Sequence, residues 1–345
     1  MKTMFVHIGH PKTGTTSIQQ TFRHNAARLA DEDLFYFSGY GTHHPVAWTF
    51  HKTPKPSHNS KLAQRVYRDF VSAARASRCS TGFLSSETLV RLKPDEIANL
   101  LNAMKPLAQT IKVLLYVRHP VGFAISSAAQ AVRMGQALSH VDVHPRKITL
   151  RHMVTKWRDA IGAENLIIRP FDREQLLNGD VVDDVLEQVD RLTVAGALER
   201  YRENEGLSVL GVHLLDALNR RSPTGKLPVG WIQRINGIGG PRYRPPLEAL
   251  LSIEERTRKD LEFLRAEFGL SLPAPPLVEA PKLALCPEEV QSLADLLYPL
   301  LEASRGANDP AGIGPRLGPL GWLRARVFGR GDGADDAAPF ESLLD

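Results

Sequence analysis

Val6-His7-Ile8-Gly9-His10-Pro11-Lys12-Thr13-Gly14-Thr15-Thr16-Ser17 lies close to the start of the chain and contains a complete transition from strand to loop to helix. The apolar run from Met4 to Ile8 reads as a strand, and Gly9, Pro11 and Gly14 punctuate a tight loop. From Thr16 the spacing of Ile18, Phe22 and Leu29 predicts a helix with one apolar face. Such a turn aims several main-chain N–H groups and the positive end of a helix at one point. A phosphate or sulfonate binds there without a side-chain counterion.

The kind of anion follows from a comparison with the Walker A loop, G-x-x-x-x-G-K-[ST], whose lysine follows the second glycine and whose hydroxyl holds magnesium. Gly9 and Gly14 keep that spacing, but Thr15 stands in the lysine position and Lys12 lies inside the loop. A second segment points the same way. Ile111-Lys112-Val113-Leu114-Leu115-Tyr116-Val117 reads as a buried parallel strand and runs into Arg118-His119-Pro120. Pro120 suits the first turn of a helix, and Val121, Ala124, Ile125, Ala128 and Val132 follow at helical spacing. Arg118 is therefore expected at the carboxyl end of a strand, where α/β sheets bind ligands. Ser126 follows about two turns into the helix. Two strand ends that each present a cation and hydroxyls suit one ligand carrying two anionic groups.

Pro11-Lys12-Thr13-Gly14-Thr15-Thr16 resembles the 5′-phosphosulfate loop of sulfotransferases, P-K-x-G-T-T. Arg118, Pro120 and Ser126 resemble the R-x-P and following serine with which that family grips the 3′-phosphate of 3′-phosphoadenosine 5′-phosphosulfate (PAPS). The resemblance implies the P-loop-related sulfotransferase fold and a PAPS-dependent enzyme that moves a sulfuryl group to a hydroxyl of a saccharide, glycolipid or related acceptor. In that reading the N–H groups from Thr13 through Gly14, Thr15 and Thr16 to Ser17 hold the 5′-phosphate, with added donors from the Thr15, Thr16 and Ser17 hydroxyls. Lys12 reaches the bridging oxygen, where charge grows as the bond breaks. No metal is required. The cytosolic branch closes over its cofactor with a K-G-x-x-G-D-W segment, and no such string occurs here. The polar stretch Tyr201 to Ser208 is its candidate replacement, with Arg202 near the 3′-phosphate, and the departure points to the bacterial or carbohydrate-type branch.

An acceptor hydroxyl needs a base. Glu87 follows the strand Thr81-Gly82-Phe83-Leu84-Ser85, which would bring its carboxylate to the same sheet edge as Lys12 and Arg118. Many carbohydrate sulfotransferases use a glutamate in this role. His43 and His44 are the rivals, since cytosolic members use histidine and its ordinary pKa suits proton removal near neutrality. His10, inside the loop, is a further candidate for contact with cofactor or acceptor. Two other classes stay open: a P-loop kinase or NTPase, against which the missing lysine after Gly14 counts, and a non-catalytic nucleotide-binding protein on the same scaffold.

The remaining sequence predicts a parallel β-sheet flanked by helices, with a sheet core over 1–178, a helical part over 179–304 and a Gly/Pro/Arg-rich tail over 305–345. Helices are expected over Lys61–Ser77, Pro94–Met104, Ile148–Ala160, Val181–Val189, Val209–Leu218, Leu247–Phe268 and Pro287–Leu301, with a further strand over Asn165–Pro170. Asp33–Ser60, apart from a short helix near Val46–His51, and Met134–Lys147 read as loops of the kind that shape an acceptor pocket. The 345 residues, 43% hydrophobic and 23% charged, suffice for one sizeable α/β domain. A net charge of +5 favours anionic ligands but falls short of a nucleic-acid binder. The two cysteines, Cys79 and Cys286, suggest neither a disulfide framework nor a zinc site. Cytoplasmic residence is the expectation. The basic, aromatic stretch 316–330 is a candidate for weak membrane-surface contact.

Overall fold

The computed structural model describes residues 1–52, 59–145, 149–201, 206–222, 225, 227 and 229–306, with Val229 and 301–306 described by main chain alone. In chain order the elements are β1 (Thr3–His7), α1 (Thr15–His24), α2 (Ala26–Asp31), β2 (Leu34–Tyr36), α3 (His44–Trp48), α4 (Ser60–Ala76), β3 (Thr81–Ser85), α5 (Pro94–Met104) and β4 (Thr110–Val117). They continue with α6 (Pro120–Arg133), α7 (Leu138–Val143), α8 (Leu150–Ile161), β5 (Leu166–Pro170), α9 (Val181–Gln188), α10 (Val209–Arg221), α11 (Val229–Asn236), α12 (Leu247–Phe268) and α13 (Pro287–Gly306).

The strands form a parallel sheet in the order β2-β3-β1-β4-β5. Strand alternation sends Met4, Val6, Ile8, Leu84, Val113, Leu115 and Val117 to one face, where Val66 and Phe70 of α4, Ile97 and Leu100 of α5 and Met153 and Trp157 of α8 cover them. Phe5, Phe83, Leu114 and Tyr116 point to the other face and meet Ile18 and Phe22 of α1 and Val181, Val182 and Val185 of α9. Because helices cover both faces, β4 carries the near-continuous apolar run that buried parallel strands require. Each large side chain fully buried in these layers, such as Phe22, Phe70 and Trp157, contributes about 2–3 kcal/mol. The fold is thus α/β, a parallel sheet between helical layers. The chain departs from β1 toward β3 on one side and β4 on the other, so the loop after β1 opens at the point where the strand order reverses.

The described chain groups into two compact units. The first holds the sheet and comprises 1–128, 143–205 and 245–279, so α9 and α12 belong to it although they follow residue 178. Within it Val121 and Ala124 of α6 pack on Leu250 and Ile253 of α12. The second comprises 129–142, 206–244 and the chain from 280 onward. There Asp216 of α10 accepts the Leu138 N–H and Asn219 donates to the Val132 carbonyl, tying α10 to the preceding helical segment. Among the described residues no helix is long and apolar enough to cross a membrane.

Three features differ from the sequence expectation. The segment after Asp33 is not loop throughout, because Leu34–Tyr36 adds an edge strand beside β3, and three residues are too few to show an alternation. The helix expected to run from Thr16 through Leu29 breaks at Asn25, whose side chain donates to the Thr21 and Glu199 carbonyls and accepts the Glu199 N–H. That competition with the helical ladder is the usual habit of asparagine. The stretch 134–147 also contains a helix, α7, and residues 146–148 fall outside the described set.

Candidate functional site

The loop between β1 and α1 places three residues at positive φ: Gly9 at 33°, Lys12 at 68° and Gly14 at 71°. Left-handed positions interleaved with ordinary ones turn successive N–H groups inward, which forms a concave anion seat. Thr13 Oγ1 donates to the His10 carbonyl at 2.5 Å and closes the loop on itself. Gly14 is the N-cap of α1, brings no capping side chain, and the first turn, Thr15-Thr16-Ser17, contains no acid. The positive end of the helix is therefore not neutralised from within. Thr15 Oγ1 is buried without a hydrogen-bond partner and lies 2.8 Å from where a Cβ on Gly9 would stand.

Gly14 also admits its neighbours closely. A Cβ there would meet Val181 Cγ1 at 2.8 Å and Phe171 Cε2 at 3.1 Å, so glycine is required by packing as well as by φ. Phe171, the residue after β5, donates its N–H to the Val117 carbonyl at 2.6 Å, which brings the ends of β4 and β5 level. Its ring lies beneath Arg118, 5.7 Å from guanidinium carbon to ring centroid.

Arg118, directly after β4, reaches the loop itself: Nη1 donates to the Lys12 carbonyl at 3.3 Å. Its stem lies against α6 at Gly122, where a Cβ would come within 3.0 Å of Arg118 Nε. Ser126 stands one turn beyond Gly122 on the same helix face, with Oγ donating back to the Phe123 carbonyl at 3.2 Å. Burial draws the Arg118 pKa down and Asp172 opposes it, yet a guanidinium stays charged at neutral pH. The two grips expected from the sequence, the loop with Lys12 and the pair Arg118 and Ser126, thus lie at adjoining strand ends.

The acid and histidine candidates gather at the end of β3. Glu87 lies against the loop at the root of its side chain, with the main-chain Cα and the side-chain Cβ both 3.4 Å from a Cβ on Gly9. The Ser86 N–H donates to the His7 carbonyl at 3.0 Å, so Glu87 leaves the sheet beside the strand that feeds the loop. His44 Nδ1 pairs with Ser86 Oγ at 2.8 Å, and Ser86 Oγ pairs with Thr88 Oγ1 at 2.8 Å. Burial lowers the pKa of His44. His43 is placed differently. Its Nε2–H donates to the Phe37 carbonyl at 2.6 Å and its Nδ1 accepts the Ser85 N–H at 3.0 Å, so both nitrogens serve the main chain. Full burial lowers its pKa to about 4. His10 is buried against Phe123, with ring centroids 4.9 Å apart, and burial lowers its pKa to about 3 while the Pro11 main chain opposes this and Arg118 adds to it. Arg202 lies outside the described residues, as does the stretch 316–330.

Sequence reading does not single out Phe171, Val181, Gly122, Gln19, Ser85 or His7. Gln19 Nε2 donates to the Ser85 carbonyl at 3.0 Å, and Ser85 Oγ pairs with His7 Nδ1 at 2.8 Å, forming a buried polar layer under the loop. Only Phe171 carried a signal, as the aromatic residue that closes the strand ending in Arg169-Pro170.

Compared with known proteins, the chain matches no family model. It matches no curated protein. Among solved structures it is similar to the sulfotransferase domain from the Synechococcus PCC 7002 olefin synthase, at 13% identity over 79% of this chain and 96% of that one, with a TM-score of 0.32.

Proposed function

We propose that the protein is a PAPS-dependent sulfotransferase that moves the sulfuryl group to a hydroxyl of a saccharide, glycolipid or related acceptor. The observation that carries the reading is the contact of the Arg118 guanidinium with the Lys12 carbonyl, which sets a second cationic grip against an uncapped, acid-free helix N-terminus. A nucleotide with phosphates at both 3′ and 5′ positions matches two such grips. The 5′-phosphate rests on the N–H groups of Thr13 to Ser17, and Arg118 with Ser126 takes the 3′-phosphate.

In the reaction the acceptor oxygen attacks sulfur in line with the bridging oxygen, the new S–O bond forms and the bond to the 5′-phosphate breaks. Lys12 neutralises the charge left on that phosphate. The acceptor proton passes to Glu87, which leaves β3 beside the loop; His44, linked to the neighbouring Ser86, is the second candidate. His43 has both nitrogens engaged and holds the strand end instead. The products are the sulfated acceptor and 3′-phosphoadenosine 5′-phosphate. A cytoplasmic setting and weak membrane contact through 316–330 belong to the same proposal.

Titration calorimetry with adenosine 3′,5′-bisphosphate tests the binding half. Micromolar binding without added metal supports it, and no heat overturns it. Incubation with radiolabelled PAPS and lipid and polysaccharide extracts tests transfer. Binding without any labelled product would leave a non-catalytic nucleotide-binding protein, and magnesium-dependent turnover of ATP would favour a P-loop kinase or NTPase.

A further inference from the structure

Arg118 has a contact that a simple phosphate ligand does not need. One of its five N–H groups is given to the carbonyl of Lys12, a non-glycine residue held at φ 68° in the middle of the anion loop. Such a conformation is disfavoured for a lysine and persists only where its surroundings enforce it. The surroundings are specific. Phe171 supports the guanidinium from below and fills the space beside Gly14, while the bare Cα of Gly122 makes room for the stem of the arginine. The loop's own closing bond, from Thr13 Oγ1 to the His10 carbonyl, brackets Lys12 in sequence, and the Lys12 carbonyl accepts from Arg118 Nη1.

We propose that Arg118 is a positioning residue for the phosphosulfate loop as well as a ligand of the 3′-phosphate: by holding the Lys12 carbonyl it orders the 5′ seat, so the two grips are coupled through one side chain. The inference rests on the sulfotransferase reading for the identity of the ligand but not for the contact itself. It has a consequence that separates it from a pure 3′-phosphate role. Loss of the guanidinium weakens a nucleotide that has no 3′-phosphate at all.

The experiment uses the full chain, wild type and Arg118→Met, which keeps an apolar stem over Phe171 and removes every donor. Hydrogen exchange of the main-chain amides over 9–17 is followed in the nucleotide-free protein, and calorimetry compares adenosine 5′-monophosphate with adenosine 3′,5′-bisphosphate. The expected result is faster exchange across 9–17 by at least tenfold, unchanged exchange in β1, β3 and β4, and a three- to tenfold loss of affinity for the monophosphate, with a larger loss for the bisphosphate. Wild-type exchange over 9–17 and wild-type monophosphate affinity would overturn the proposal and leave Arg118 as a 3′-phosphate ligand only. If the wild-type protein binds neither nucleotide, the sulfotransferase reading falls, and exchange over 9–17 alone decides the positioning role. Should Arg118→Met not fold, Arg118→Gln, whose shorter uncharged side chain also lacks the guanidinium that donates to the Lys12 carbonyl, is read by the same two measurements; wild-type behaviour in both again overturns the proposal.

Discussion

At Gly14 the main chain sits at φ 71° and a Cβ would lie 2.8 Å from Val181 Cγ1. Gly14→Ala therefore costs about 1–3 kcal/mol in urea unfolding and weakens adenosine 3′,5′-bisphosphate in calorimetry, because the strain falls on the cap of the anion-binding helix. Lys12→Ala is expected to lower kcat by about 10²–10³, the range found when a single group that stabilises developing charge is removed. Glu87→Gln separates the two base candidates. It should reduce transfer by about 10²–10⁴ with bisphosphate affinity retained, and His44→Gln should cost less. Unchanged transfer in Glu87→Gln, followed by loss in His44→Gln, would exchange the two roles. The tandem histidines show where sequence reading stops: His43 and His44 are equivalent as residue types. Only the fold gives one to the main chain at Phe37 and Ser85 and the other to Ser86.

Asp184 of α9 is fully buried, yet it joins three elements. Tyr116 of β4 donates to it at 2.7 Å, Arg169 of β5 donates through Nε and Nη2 at 3.0 and 2.6 Å, and the Leu177 N–H donates at 3.0 Å. Burial pushes its pKa up, but Arg169, Tyr116 and the Leu177 N–H together hold it below the usual carboxylate range. Asp184→Asn leaves a guanidinium without its counterion, and the expected loss is about 3–5 kcal/mol, measured by the urea midpoint. This clamp was not legible in the sequence, because Tyr116, Arg169 and Asp184 meet only when β4 and β5 align and α9 packs back on them. The elements themselves were far more legible. Thr81–Ser85, Pro94–Met104 and Leu247–Phe268 match their expected bounds, the two helices because apolar periodicity agrees with Pro94 and with Pro246 and Gly269 at their ends. The strand–loop–helix transition around Gly9 and Gly14 was equally readable, since it needs only local signals. β2 and α11 were not, being short and offering too few turns of the pattern.

Four buried histidines bind the stability of the sheet unit to pH. His7 and His10 have pKa values lowered to about 3, and His43 and His119 to about 4, with burial the leading cause in each. In the unfolded chain these rings protonate near the ordinary 6.5, so the folded state binds fewer protons below that pH. Their contribution is complete above pH 6.5 and is lost as pH falls from there toward 4 and 3. By pH 5 the cost is about 2 kcal/mol for each fully neutral ring. Urea unfolding at pH 7.5 and pH 5 checks this, and equal midpoints would contradict the burial of these rings. A different consequence follows from how the chain shares itself between its two units. The sheet unit closes only when 245–279 is present, with α12 packing Leu250 and Ile253 on α6, although its last strand ends at Pro170. Synthesis on the ribosome therefore completes the five strands well before α12 emerges, and the Val121 and Ala124 face of α6 stays uncovered over that interval. A nascent chain halted near residue 240 should bind hydrophobic dye and holdase chaperones, and one released past residue 280 should not.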